Sequence, residues 1–122
     1  MKRILPVLLM ALLVLSGCGG GAAEAQPSYQ QISQQEAKEM MDSQEVILLD
    51  VREQEEYDQS HIPGAVLLPV GTISEETAGA VIPDQEDTVL VYCRSGNRSK
   101  TAAAALAQLG YTNVYEFGGI NT

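Results

Sequence analysis

The sequence predicts an α/β fold built on a mostly parallel central sheet. Three observations carry that reading. Val46-Ile47-Leu48-Leu49 and Val89-Leu90-Val91-Tyr92 are unbroken apolar runs, the pattern of strands covered on both faces. Helix-forming stretches lie between such runs. The strongest is residues 98–109, rich in alanine, with Gly110 placed to cap its end.

The other elements follow in order. Ser33 and Glu36 are spaced as a capping box, with Ile32 ready to pack on the first turn. A helix is therefore expected to about Met41, burying Ala37, Met40 and Met41. Asp50 ends the first apolar strand, and residues 53–59 read as a short acidic helix. His61-Ile62-Pro63-Gly64-Ala65 is a turn into a brief strand, Val66-Leu67-Leu68, which Pro69 stops. Residues 72–80 fit a weaker helix. Asn113-Val114-Tyr115-Glu116-Phe117 is a closing strand.

Ahead of this domain lies a different kind of chain. Met1-Lys2-Arg3 is basic, and residues 4–15 are apolar and uncharged. That is the layout of a secretory leader, too short to stay as a spanning helix. Leu15-Ser16-Gly17-Cys18 resembles a bacterial lipobox, which implies cleavage after residue 17 and a lipid on Cys18. Residues 18–28 have almost nothing to bury and read as a tether. The folded domain is expected over residues 29–122, about ninety residues with a modest core. The location implied is the bacterial cell envelope, outside the cytoplasm, with the membrane reached through the anchor.

The formal charge of −9 argues against nucleic acid and against an electrostatic hold on anionic lipid. With Cys18 lipidated, Cys93 has no partner for an intrachain disulfide, and a lone thiol in an oxidising space calls for a chemical role. Cys93 stands where the second apolar strand ends and a polar loop begins. In open α/β sheets that edge is where ligands bind. Loop amides, the following helix and the charges of Arg94 and Arg98 all favour a thiolate there.

Each loop residue has an expected part. Gly96 turns the backbone through a left-handed position, and Asn97 tolerates similar angles. Arg98 closes one side of the cradle and offers donors to an oxyanion. Ser95 and Ser99 donate hydroxyls to the site or cap the helix. Arg94 faces solvent at the rim, where it attracts an anion. Asp50 ends the neighbouring strand and holds loop amides or an arginine. Arg52 with Glu56 is an i,i+4 pair. His61, the sole histidine, either bonds the turn or serves as a base. No cluster of Cys and His suggests a zinc site, and no glycine-rich nucleotide loop is present.

Three segments in this order resemble a single-domain rhodanese. They are Leu49-Asp50-Val51-Arg52-Glu53 with Glu56-Tyr57, then His61-Ile62-Pro63-Gly64-Ala65, then Val91 through Ser99. The resemblance implies a three-layer rhodanese-like fold and a sulfurtransferase working through a Cys93 persulfide. Residues 94–98 match the loop whose amides hold that persulfide. Asp50, Arg52 and His61 match architectural positions. The partners implied are a small sulfur-containing anion and a thiol acceptor, which includes a dedicated protein acceptor. No cofactor or metal is implied. Members of the family continue beyond the double glycine into a further helix, which is missing here, so the domain is expected to be truncated at its C-terminus.

Two rivals use the same thiol. One is a tethered sulfur-binding or redox-sensing module without turnover. The other is a phosphatase or arsenate reductase, whose loop in the tyrosine phosphatases has five residues between cysteine and arginine. Four separate Cys93 from Arg98.

Overall fold

A computed structural model of the chain describes residues 28–120. The leader, Cys18 and most of the tether lie outside the described residues, as do Asn121 and Thr122.

Ten short elements follow one another. They are strand β1 (Gln30–Gln31), helix α1 (Gln34–Ser43), β2 (Ile47–Asp50), α2 (Gln54–Gln59), β3 (Val66–Leu67), a 3-10 turn (Val70–Thr72), α3 (Glu75–Val81), β4 (Thr88–Cys93), α4 (Asn97–Gln108) and β5 (Asn113–Gly119). The strands form one sheet in the order β1-β5-β4-β2-β3. All four pairings are parallel. The two apolar runs sit side by side at its centre, because only central strands are covered on both faces.

The two faces of the sheet carry separate cores. Leu49, Val89, Val91 and Val114 pack under Ala78, Ala102, Ala103 and Leu106, so α3 and α4 cover one face. Leu48, Leu90, Tyr92 and Phe117 pack with Ala37, Met40, Met41 and Tyr57 on the other, beneath α1 and α2. This is a three-layer arrangement. The small alanines of α4 bring its backbone close to the sheet, which sets the height of the loop before it.

Local signals in the sequence fix the helix starts. Ser33 and Glu36 form the expected capping box. Glu53 with Glu56, and Ser74 with Thr77, form two more. Ser74 starts α3 later than expected, since residues 70–72 coil as a separate 3-10 turn ahead of it. Gly110 adopts a φ of 106° and closes α4. Strand β1 was not foreseen: its two residues are polar and exposed, and only pairing with β5 makes them a strand.

One irregularity matters for the site. Along β4 and β5, Val91 pairs with Glu116 but Cys93 pairs with Gly119. Three steps on β5 answer two on β4, so the end of β5 bulges. That bulge carries Gly118 and Gly119 under the loop that follows Cys93.

Candidate active site

Cys93 is the last residue of β4, and the chain turns at once into the 94–96 loop and then α4. Gly96 makes the turn possible. Its φ is 102°, a left-handed value that suits glycine. This conformation points the Gly96 N–H back at Cys93 Sγ, 2.9 Å away. Asn97 does not share the left-handed shape; it is already the first residue of α4, and no non-glycine residue described has a positive φ.

The floor of the loop is β5. Gly119 lies so close to Arg94 and Ser95 that a Cβ there would overlap the Arg94 carbonyl. The Ile120 N–H donates to the Cys93 carbonyl at 3.0 Å. The sulfur is thus held by its own loop above and by a glycine pair behind.

Packing this tight buries the sulfur. Cys93 is 0% exposed and belongs to the α4-side core. Cys93 stands at the ligand-binding edge of the sheet as expected, but the loop folds over the sulfur and covers it. Burial alone pushes a thiol up. Here the Ser99 hydroxyl and the N–H groups of Ser99, Gly96 and Ser95 outweigh that burial, and Cys93 lies below the usual cysteine value. Ser99 Oγ is 3.4 Å from Sγ. Ser95 contributes through its backbone, while its side chain is exposed.

Arg98 does something other than expected. Its Nη1 and Nη2 donate to Glu56 Oε1 and Oε2, at 2.8 and 3.0 Å. The guanidinium therefore ties α4 to α2 and does not close the cradle with free donors. Arg98 pulls Glu56 down to about 2, and the Glu53 N–H adds to the effect. The expected Arg52–Glu56 pair is not formed. Arg52 turns instead to Asp50, with Nη2 2.7 Å from Oδ2 and Nε 2.9 Å from Oδ1. Its Nη2 also reaches the Ser60 carbonyl.

Asp50 is fully buried and saturated. Besides Arg52 it accepts the Arg52 N–H at 3.0 Å and the Tyr92 hydroxyl at 2.7 Å. Burial would raise its carboxyl, but these bonds hold it below the ordinary aspartate value. Tyr92 Oη in turn accepts the Ile62 N–H, which fixes the 61–65 turn. His61 belongs to that turn. Its Nδ1 donates to the Tyr57 carbonyl at 2.7 Å and its ring stacks on Tyr57 at 3.7 Å. It has the structural role and stays out of the sulfur's hydrogen bonds.

A cavity of about 250 Å³ opens among Arg52, Glu56, Gln59, Ser60, Arg94 and Ile120. Arg94 is exposed at its edge, as expected for a rim residue. A larger cleft, about 700 Å³, lies at the other end of the strands among Glu75, Asp84, Glu86 and Tyr111. It is acidic and holds no nucleophile.

Two residues at the site were not anticipated. Tyr92 Oη bridges Asp50 to the turn. Glu116, buried on β5, binds the Ser99 hydroxyl. The one available hint of Glu116 was an acid inside an otherwise apolar strand, on the same side as Val114.

Known proteins are similar to this chain in sequence and fold. The thiosulfate sulfurtransferase PspE of Escherichia coli is 44% identical over 72 residues, which cover 59% of this chain and 68% of PspE. The thiosulfate sulfurtransferase GlpE of Coxiella burnetii is 37% identical over 95 residues, 77% of this chain and 86% of GlpE. A solved rhodanese with anions from E. coli superposes with a TM-score of 0.59 at 37% identity, covering 64% of this chain and 92% of that one. The family model for the rhodanese-like domain matches residues 33–121, almost the whole described fold and every residue of the Cys93 loop. By sequence and by architecture, the chain belongs to the rhodanese-like family.

Proposed function

We propose that this chain is a sulfurtransferase that carries sulfane sulfur on Cys93, with thiosulfate or a related anion as donor. The Cys93 thiolate attacks the outer sulfur of the donor. A Sγ–S bond forms, the donor's S–S bond breaks, and sulfite leaves with the electron pair. A thiophilic acceptor such as cyanide or a thiol then attacks the outer sulfur of the persulfide. Cys93 leaves as the thiolate, ready for another cycle. Thiolates are strong nucleophiles toward sulfur, and a low thiol pKa also makes Cys93 a good leaving group.

The observation that carries this reading is the Gly96 N–H set 2.9 Å from Sγ, at the turn joining β4 to α4. Fixed amides stabilise negative sulfur without reorganising during the reaction. The thiosulfate sulfurtransferase names of the E. coli and C. burnetii relatives support the donor class. Arg94, an exposed cation beside the cavity, supports an anionic donor. The outward pairing of Arg98 with Glu56 counts against a phosphatase, which needs that charge inside its loop.

The test is mass spectrometry of the full chain after thiosulfate treatment. Addition of one sulfur to Cys93 is expected, with loss of thiosulfate:cyanide transfer in Cys93→Ser. An unmodified Cys93 in folded, thiosulfate-treated protein would remove the assignment.

We also infer that the chain is anchored to the bacterial envelope through a lipid on Cys18. Support comes from the basic start, the apolar residues 4–15 and Leu15-Ser16-Gly17-Cys18. The protein should partition with membranes, and Cys18→Ala should release it. Wild-type protein found in the soluble fraction, with residue 18 unacylated, would refute the anchor.

A further inference from the structure

Glu116 has no part in the sulfur chemistry as described, yet it is hydrogen-bonded to Ser99, which contacts the sulfur. It is 2% exposed, in the strand that lies under the loop. Its Oε2 accepts the Ser99 hydroxyl at 2.5 Å and the Gly118 N–H at 2.9 Å. Its Oε1 accepts from Gln31 Nε2 at 3.3 Å. Every polar side-chain atom buried among the described residues has a partner, so this carboxylate is fully engaged.

Ser99 is the link. Its one hydroxyl hydrogen lies within reach of Glu116 Oε2, of the Gly96 carbonyl at 3.0 Å and of Cys93 Sγ at 3.4 Å. The contact to Glu116 is the shortest and is charge-assisted, so the hydrogen belongs there at rest. A lone pair of Ser99 Oγ then faces the sulfur and accepts its S–H. The other groups at Sγ are backbone N–H donors, Gly96 at 2.9 Å with those of Ser99 and Ser95, and none of them can take a proton. Among the described residues, Ser99 Oγ is therefore the acceptor through which a buried thiol can lose its hydrogen.

We propose that Ser99 and Glu116 form an internal proton relay for Cys93, with Ser99 in contact with the sulfur and Glu116 as the positioning residue behind it. The Sγ–H proton passes to Ser99 Oγ while the Ser99 hydroxyl proton passes to Glu116 Oε2. The S–H electron pair stays on sulfur. No proton enters or leaves the protein, and nothing is oxidised or reduced. Afterwards the Ser99 hydroxyl donates to the thiolate and the Glu116 carboxyl donates to Ser99. The same relay run backwards returns the proton once Cys93 is released. The part this relay plays in turnover rests on Cys93 being the sulfur-accepting nucleophile, whereas the proton path itself is read separately by alkylation.

The surroundings suit a neutral exchange. On β4 the titratable groups are Cys93 and Tyr92, and Tyr92 is packed on the opposite face with Phe117. On α4 they are Arg98, bound to Glu56, and the exposed Lys100. Strand β1 offers only Gln30 and Gln31. The charges of α1 (Glu36, Lys38, Glu39 and Asp42) belong to the helix covering the other face. Tyr115, the titratable neighbour on β5 itself, also packs on that other face.

A relay of this kind leaves a mark on the pH profile. The pair Cys93 thiolate with Glu116 carboxyl holds as many protons as the thiol with carboxylate, so the exchange between the two is itself independent of pH. The test follows kcat/KM for thiosulfate and, separately, alkylation of Cys93 by iodoacetamide, from about pH 5 to about pH 9. It uses the full chain, Glu116→Gln, Ser99→Ala and Ser99→Thr. Wild type and Ser99→Thr should give a flat central region. Glu116→Gln and Ser99→Ala should rise about tenfold per pH unit, at least about tenfold below wild type near pH 6 and converging with it near pH 9. Circular dichroism checks that each variant folds, and Ser99→Ala decides the matter if Glu116→Gln does not. A loss that is equal at all pH values would reduce Glu116 to a structural prop, and an unchanged profile would also refute the relay. If wild type takes no sulfur but its alkylation profile is flat, the sulfurtransferase reading fails while the relay stands.

Discussion

β2 and β4 lie side by side, end at the same edge of the sheet, and each finishes on a buried ionisable side chain. At the end of β2, Asp50 is surrounded by Arg52 and Tyr92, and each of those is tied to the 60–62 turn. Its donors are two side chains and one backbone N–H, that of Arg52. At the end of β4, Cys93 meets the backbone N–H groups of its own loop and helix start, with Gly96 the nearest, and one serine hydroxyl. Two adjacent strand ends thus take opposite forms. One is a closed polar network in which every group is spent on its neighbour. The other leaves its sulfur with donors but no countercharge in hydrogen-bond contact. A saturated anion fixes the fold, whereas an unsaturated one can bind a further atom.

Three substitutions test that contrast, beginning with the most disruptive. Asp50→Ala leaves Arg52 buried without its carboxylate, and breaking a buried pair in this way costs about 3–5 kcal/mol. Urea denaturation should show that loss, and a variant as stable as wild type would mean that the β2 end is not a structural lock. Gly119→Ala sets a methyl against the Arg94 carbonyl and forces the loop away from β5. Overpacking costs about 1–3 kcal/mol, and thiosulfate turnover should fall by more than the loss of folded protein explains. Equal falls in the two would show that the loop does not depend on its glycine floor.

Glu56→Gln gives the smallest effect and a pH signature. Arg98 holds Glu56 at about 2 in the folded protein, against an ordinary 4.5. A depressed carboxyl stabilises the fold above its unfolded value, and the benefit fades as pH falls from 4.5 toward 2. Both side chains are partly exposed, so the pair is worth about 0.2–1 kcal/mol. The melting temperatures of wild type and Glu56→Gln should differ modestly at neutral pH and converge in acid. A gap that is constant with pH would assign the effect to shape and not to charge.

What the sequence made legible was local or strongly patterned. The two apolar runs announced the central strands because burial on both faces excludes polar residues. Ser33 with Glu36 marked a helix start, and Gly96 marked the left-handed turn, because each acts within three residues of itself. Cys93 was legible from its place between an apolar run and a polar loop. The partners of the site were not. Arg98 and Glu56 stand 42 positions apart, and Ser99 and Glu116 stand 17 apart. Arg52 had two acids at plausible distance, Asp50 and Glu56. The choice fell to Asp50 because the strand end presents it already buried, where an unpaired carboxylate is far more costly than on the exposed side of α2. The polar pair Gln30–Gln31 gave no sign of a strand, since its pairing comes from β5 at the far end of the domain.

The complete burial of Cys93 means that no reagent meets the sulfur until the loop above it yields. Every incoming reagent meets the exposed Arg94 and Ser95 before it meets Cys93. Access to the nucleophile is therefore a property of its own loop, since the sulfur cannot be reached without moving the residues that cover it.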